Sequence, residues 1–100
     1  MAEFSRISIQ QAHALIAAGN VTLADIRDPQ SYHSAHINGA VHLDNTNIDQ
    51  FIAETAKNKP LIVYCYHGNS SQSAAQFLLE QGFAEVYSMD GGFEMWRSAY

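Results

Sequence analysis

Leu61-Ile62-Val63-Tyr64-Cys65-Tyr66-His67-Gly68-Asn69-Ser70-Ser71 runs from a nearly all-apolar segment into a loop of small and polar residues. A short segment with no polar alternation, 61–64, has the composition of a strand buried on both faces, and such strands belong to parallel sheets. Parallel neighbours need a long crossover, usually helical. Residues 72–81 supply one, with Ala74, Ala75, Phe77 and Leu78 expected to face inward and Gly82 as the stop.

Outward from that strand, short apolar runs alternate with amphipathic stretches. Ile7-Ser8-Ile9 fits a short edge strand. Ser8 with Gln11 three residues on fits a capping box; Ala12, Leu15 and Ile16 then give a helical face, and Gly19 its stop. Residues 21–26 read as a strand ended by Asp28-Pro29, with Pro29 in the first turn of a short helix through Tyr32 and His33. Residues 39–43 are a third strand candidate. Residues 46–49 resemble a helix start, with Ile48, Phe51, Ile52 and Thr55 on one face. Residues 86–88 make a last short strand, Gly91-Gly92 a turn, and residues 93–97 begin a final helix. The expectation is an α/β fold of about five parallel strands with helical crossovers.

A length of 100 residues suits one domain, so residues 1–100 are expected to form a single one. Hydrophobic residues are 47% of the chain and charged residues 15%, enough apolar surface for a core and too much for a disordered chain. The longest apolar run, 61–66, falls short of the roughly 20 residues a membrane span needs. Residues 1–6 have no basic start and no apolar stretch, so no signal peptide is read and a cytoplasmic location is expected. The formal charge of −5, with no basic stripe, argues against a nucleic-acid partner. It also repels small anions at long range, so an anionic substrate must be held by local groups. The single cysteine, Cys65, excludes an internal disulfide and a cysteine-built zinc or iron–sulfur site within one chain.

Cys65 stands where the most apolar strand meets a helix. Ligands of open parallel sheets bind at the carboxyl ends of strands. The first turn of the next helix offers unpaired N–H groups and a partial positive charge. Gly68 permits a positive φ, and Asn69 or Ser70 can cap the helix. A thiolate in such a cradle is stabilised and reactive at neutral pH. The same position also suits a cysteine that is only a small buried hydrophobe. A strand–Cys–loop–helix unit can also hold phosphate when five residues separate the Cys from an Arg, but Ser71 stands at that seventh position.

Cys65 through Ser71, followed by Ala74-Ala75, resembles the active-site loop of single-domain rhodaneses. Leu23-Ala24-Asp25-Ile26-Arg27-Asp28, continuing through Tyr32, His36-Ile37 and Gly39-Ala40, is similar to that family's N-terminal signature. Asp90-Gly91-Gly92-Phe93 through Trp96 is similar to its C-terminal one. The resemblance covers most of the chain, in order. It implies a rhodanese-like fold, a five-stranded parallel sheet with helices on both faces. It also implies a thiosulfate sulfurtransferase in which Cys65 is the catalytic nucleophile. Cys65 would take the outer sulfur of thiosulfate as a persulfide and pass it to cyanide or a thiol, with no metal or organic cofactor. A thioredoxin-like protein or dihydrolipoate would suit as thiol acceptor. The loop length suits a sulfur atom, whereas relatives with longer loops take phosphate or arsenate. Tyr66, His67, Gly68, Asn69, Ser70 and Ser71 are the expected substrate-binding residues. Backbone N–H donors from His67 to Ser71 would hold the persulfide charge, and Tyr66 would form a wall or a partner patch.

Two positions depart from the family pattern. Ser70 stands where many members have Arg, and no Lys or Arg lies between Tyr66 and Glu80. Thiosulfate is therefore expected to bind loosely, with a protein persulfide as an alternative donor. Ala35 replaces a frequent Gly, for which a small backbone adjustment is expected. The chain stops at Tyr100 soon after its last helix begins, and a slightly shortened C-terminus is the expectation. His33 and His36 have ligand spacing but no third partner, so no metal site is read there. His67 is either an aid to the thiolate or an exposed loop residue. Asp25 and Arg27 are read as a pair that ties loops together, with anion steering by Arg27 as the alternative. Phe93 and Trp96 are read as packing residues.

Overall fold

The computed structural model describes residues 3–100. The signal-peptide reading of residues 1–6 falls partly on Met1 and Ala2, outside the described residues. In chain order the elements are β1 (Ser5–Ile7), α1 (Ile9–Ala18), β2 (Thr22–Asp25), α2 (Pro29–Ser34), β3 (Val41–His42), α3 (Ile48–Glu54), β4 (Leu61–Tyr64), α4 (Ser70–Glu80), β5 (Val86–Met89) and α5 (Gly92–Ala99). The five strands form one sheet in the order β1-β5-β4-β2-β3, and every pairing is parallel.

β4 is central, and all four of its residues are fully buried. It pairs with β2 through Thr22↔Leu61 to Asp25↔Tyr64 and with β5 through Leu61↔Val86 to Val63↔Ser88. Its alternate side chains enter two different cores. Ile62 and Tyr64 pack with Ile9, Ala12 and Phe93 on the side of α1 and α5, which Tyr32 of α2 joins. Leu61 and Val63 pack with Ala75, Leu78 and Phe83, and with Ile48 and Phe51, on the side of α3 and α4. Two-sided burial is why this strand shows no polar alternation. β2 therefore feeds a helix on one face and its neighbour β4 a helix on the other. Their carboxyl ends flank the switch point where α/β sheets bind ligands.

Four expectations need correction. Ile7-Ser8-Ile9 is not a strand: β1 is Ser5–Ile7 and α1 begins at Ile9. Ser8 carried two signals, and the capping box prevails, with Ser8 Oγ accepting from Gln11 N at 3.1 Å and Gln11 Oε1 from Ser8 N at 3.0 Å. The strand at 39–43 shrinks to Val41–His42. The helix at 72–81 starts earlier and runs over Ser70–Glu80. Phe77 does not face inward and is 44% exposed. At 3.6 residues per turn it lies about 160° around α4 from buried Ala75.

Candidate active site

Cys65 leaves β4 at the floor of the loop and is 4% exposed. The N–H groups of Gly68 and Ser71 both donate to its Sγ, each at 3.3 Å. The thiol lies 3.4 Å from Ser71 Oγ, to which it donates; as a thiolate it accepts from that hydroxyl instead. Ser71 Oγ in turn lies 2.8 Å from Ser88 Oγ on β5, and both serines are fully buried. Burial pushes the Cys65 thiol up, but the Ser71 hydroxyl and the N–H groups of Ser71, Gly68 and His67 outweigh it. The thiol is left below its ordinary range, so the thiolate is favoured by donors alone.

The backbone needs two glycines to make this cradle. Gly68 has φ +90°, and a Cβ there would stand 3.0 Å from Gly91 N and 3.1 Å from Met89 O. Gly92 has φ +61°, and a Cβ would fall 2.4 Å from Tyr66 O and 2.6 Å from His67 N. That closeness lets the first turn of α5 hold the loop from outside. Phe93 N–H donates to Cys65 O at 2.9 Å and Glu94 N–H to Tyr66 O at 3.1 Å. One helix N-terminus thus faces the sulfur, while another anchors the carbonyls that carry it.

Asn69 is the N-cap residue of α4, but neither it nor Ser70 supplies the expected side-chain cap. Asn69 has φ −91° and ψ −61°, whereas a capping side chain needs an extended backbone to fold back on the first turn. The first-turn N–H of Ser71 meets no side-chain cap and donates to Sγ instead. His67, Asn69 and Ser70 are exposed, while Gly68 and Ser71 are buried. The expected binding residues are therefore brought together as one loop, with only Gly68 and Ser71 against the sulfur in hydrogen-bond geometry.

Tyr66 reaches toward the β2 side. Its hydroxyl donates to Asp28 Oδ1 and lies 2.8 Å from Ser31 Oγ. Arg27 is buried and is held by Asp25, with Nη2 2.7 Å from Oδ2 and Nε 3.1 Å from both carboxylate oxygens. It also donates to Ala35 O at 2.6 Å, and its guanidinium lies 4.2 Å from the Phe93 ring centroid. Burial pulls Arg27 down, but hydrogen bonding and the charge of Asp25 prevail and hold it above its usual value. The pair ties β2 to α2 and α5, the structural one of the two readings. Ala35 has φ −166°, extended backbone open to any residue, so its replacement of Gly needs no adjustment. Ser88 and Gly92 are the site-shaping residues that sequence reasoning missed. Ser88 was one residue of a short strand and Gly92 half of a turn; no local signal marks their contact with the loop.

The rhodanese-like domain family matches residues 8–99. The chain belongs to that family. This rhodanese is 59% identical over 100 residues to the thiosulfate sulfurtransferase GlpE of Pseudomonas syringae pv. syringae (strain B728a), covering 100% of this chain and 93% of that one. It is 54% identical to the thiosulfate sulfurtransferase GlpE of Tolumonas auensis (strain DSM 9187 / NBRC 110442 / TA 4), covering 100% of this chain and 94% of the relative. Among solved structures it is similar to a rhodanese-related protein from Thermoplasma volcanium, with TM-score 0.82 at 22% identity over 96% of this chain and 93% of that one. A Rhodopseudomonas palustris protein described as a possible tyrosine phosphatase has TM-score 0.82 at 26% identity, over 96% of this chain and 81% of that one. In the present rhodanese the position of a phosphate-gripping Arg is held by buried Ser71. The rhodanese fold expected from the resemblance is the fold observed, a five-stranded parallel sheet between helical layers. Among the described residues no helix is long and apolar enough to cross a membrane.

Proposed function

We infer that this rhodanese is a thiosulfate sulfurtransferase working through a persulfide on Cys65. The observation that carries the reading is the Cys65 sulfur held between two N–H donors at 3.3 Å, at the carboxyl end of the central strand. In the first half-reaction the thiolate attacks the outer sulfur of thiosulfate. A new S–S bond forms, the S–S bond of thiosulfate breaks, and sulfite leaves with the electron pair. In the second, cyanide or a thiolate attacks the outer sulfur of the persulfide. The pair returns to Cys65, and thiocyanate or an acceptor persulfide departs. Both steps are displacements at sulfur, so a covalent intermediate and ping-pong kinetics follow, and no metal or organic cofactor takes part.

Gly68 and Ser71 bind the charge on sulfur through backbone N–H. The loop backbones of His67, Asn69 and Ser70 line the entrance and Tyr66 its wall. Residues 1–100 act as one rhodanese domain. A buried sulfur at the bottom of a short loop admits a small acceptor or an extended thiol, such as dihydrolipoate or the protruding cysteine of a thioredoxin-like protein. A cytoplasmic setting fits a chemistry that needs the thiol reduced.

Intact mass after incubation with thiosulfate tests the reading. A gain of about one sulfur atom, lost on adding cyanide and absent in Cys65→Ser, is expected. A reactive thiol that gains no mass from thiosulfate would transfer the proposal to a carrier fed by protein persulfides. Hydrolysis of a small aryl phosphate by the pure protein would revive the phosphatase alternative.

A further inference from the structure

Cys65 just past β4, Ser71 on α4 and Ser88 on β5 form a row of three buried side chains. Val86 and Ser88 point to the α4 side of the sheet, which brings the Ser88 hydroxyl to Ser71 and no further. Ser71 Oγ is the one hydrogen-bond partner of Ser88 Oγ among the described residues. The row has two arrangements. With Cys65 as a thiol, S–H donates to Ser71 Oγ, Ser71 donates to Ser88 Oγ, and the Ser88 proton has no acceptor. With Cys65 as a thiolate, its proton has gone to solvent. Ser71 then rotates to donate to Sγ, Ser88 rotates to donate to Ser71, and every hydroxyl proton is used. A buried hydroxyl proton without an acceptor is costly, so the row is complete only in the charged state.

We propose that Ser88 is a positioning residue of the sulfurtransferase site. Its hydroxyl orients Ser71 so that the Ser71 proton points at Cys65 sulfur. It touches neither substrate nor sulfur. It acts twice in each cycle, when the thiolate attacks and when it is expelled from the persulfide. The proposal rests on the sulfurtransferase reading for its purpose, but the geometry bears on the thiol itself. The elements meeting at the pocket carry other titratable groups. These are Asp25, Arg27 and Asp28 beside β2, Tyr64 on β4, Tyr66 and His67 in the loop, Asp90 after β5, and Glu94 and Arg97 on α5, while α4 brings none before Glu80. All are unchanged by substitution at Ser88, so a difference from wild type reads the hydroxyl row.

The test is the pH dependence of iodoacetamide alkylation, for which the single cysteine gives an unmixed signal. Ser88→Ala is expected to raise the alkylation midpoint by about half to one pH unit, the scale of one neutral hydrogen bond. The plateau above the midpoint should not fall, because a more basic thiolate is intrinsically at least as nucleophilic. Transfer from the persulfide to cyanide should slow, because the leaving thiolate is poorer. In a Ser71→Ala background the same Ser88→Ala change should add no further shift. Ser88→Thr and Ser88→Val, alike in shape, ask the question again if Ala disturbs folding, and only Val should raise the midpoint. An unmoved midpoint in a folded Ser88→Ala protein, or an equal shift without Ser71, overturns the proposal. A lower melting temperature with no midpoint shift assigns Ser88 to packing alone. Failure of the wild type to form a persulfide would leave the alkylation result standing, so the two readings fail separately.

Discussion

β2 and β4 lie side by side in the sheet, and each feeds a helix at its carboxyl end. The β2 connection is rich in charge and spends it internally. Asp25 and Arg27 neutralise each other in the interior, and Asp28 caps α2 by accepting from Ser31 N at 3.0 Å. Pro29 occupies the first turn of that helix and offers no N–H at all. The β4 connection has no charged side chain, no side-chain cap and a glycine at φ +90°. Its spare N–H groups converge on one sulfur. A loop whose donors are satisfied by its own side chains is finished structure. A loop that leaves them open around a nucleophile is a site.

The sharpest way to break that comparison is to remove the group the second loop serves. Cys65→Ser should abolish turnover and persulfide formation completely while leaving the fold intact, since Ser is smaller and keeps hydrogen bonding. Thiocyanate formation and intact mass check it. On the β2 side the largest effect falls on stability instead. Arg27→Met strands Asp25 as an unpaired carboxylate in the interior, and the expected loss is about 3–5 kcal/mol. For a domain of this size, thermal melting should shift down by more than about 10 °C. Replacing both partners, Asp25→Leu with Arg27→Met, should recover most of it, because no buried charge is then left alone. If Arg27→Met instead kept its melting temperature and lost only thiosulfate affinity, the steering reading of Arg27 would be the right one.

Next in size is Gly68→Ala. The new Cβ meets backbone, not a flexible side chain, at 3.0 Å, so the loop must move away from Gly91 and Met89. A displacement of about 1 Å at the donors should lower kcat/KM roughly a hundredfold. The change in melting temperature should be much smaller than for Arg27→Met. Equal losses in the two assays would mean that the loop is structure like its neighbour.

Much of this contrast is legible in the amino-acid sequence. The bounds of β4 follow from a run of apolar residues that only a doubly covered strand needs, and the position of Cys65 follows from β4. The capping box at Ser8, Pro29 in the first turn of α2 and the stop at Gly19 are local chemistry, and local chemistry survives into the fold. What failed to show was made by distant contacts. Phe77 is apolar like its neighbours on α4, but its angle around the helix leaves it outside. Gly92 is required because the backbone at Tyr66 passes 2.4 Å from where its Cβ would be, a meeting of segments far apart in the chain. Ser88 matters through one hydroxyl that reaches Ser71 from another strand. The capping role expected of Asn69 failed for a subtler reason, since its residue type was right and its backbone angles were wrong.

That failure yields the smallest and most discriminating pair of changes. Asp28 has φ −66° and ψ 156°, the extended geometry from which a side chain reaches its own helix, and Asn69 does not. Hydrogen bonds from the Ser31 hydroxyl and N–H hold the Asp28 carboxyl below the usual carboxylate range. A carboxylate depressed in the folded state stabilises it above the unfolded value, near pH 4, and that contribution disappears as pH falls through the folded value. Asp28→Asn keeps an acceptor for Ser31 N but removes the titration. It should therefore lower the melting temperature at pH 7 by the carboxylate's modest contribution and flatten the acid limb, so that the two profiles meet as pH falls below about 4. Asn69→Ala removes a side chain that bonds to no first-turn N–H, so melting should stay within about 3 °C of wild type at any pH. The Cys65 alkylation midpoint should also hold, because the donors to sulfur are backbone N–H groups that Ala retains. A marked destabilisation by Asn69→Ala would mean that α4 is capped after all. The N–H groups at Cys65 would then owe their availability to something other than a missing cap.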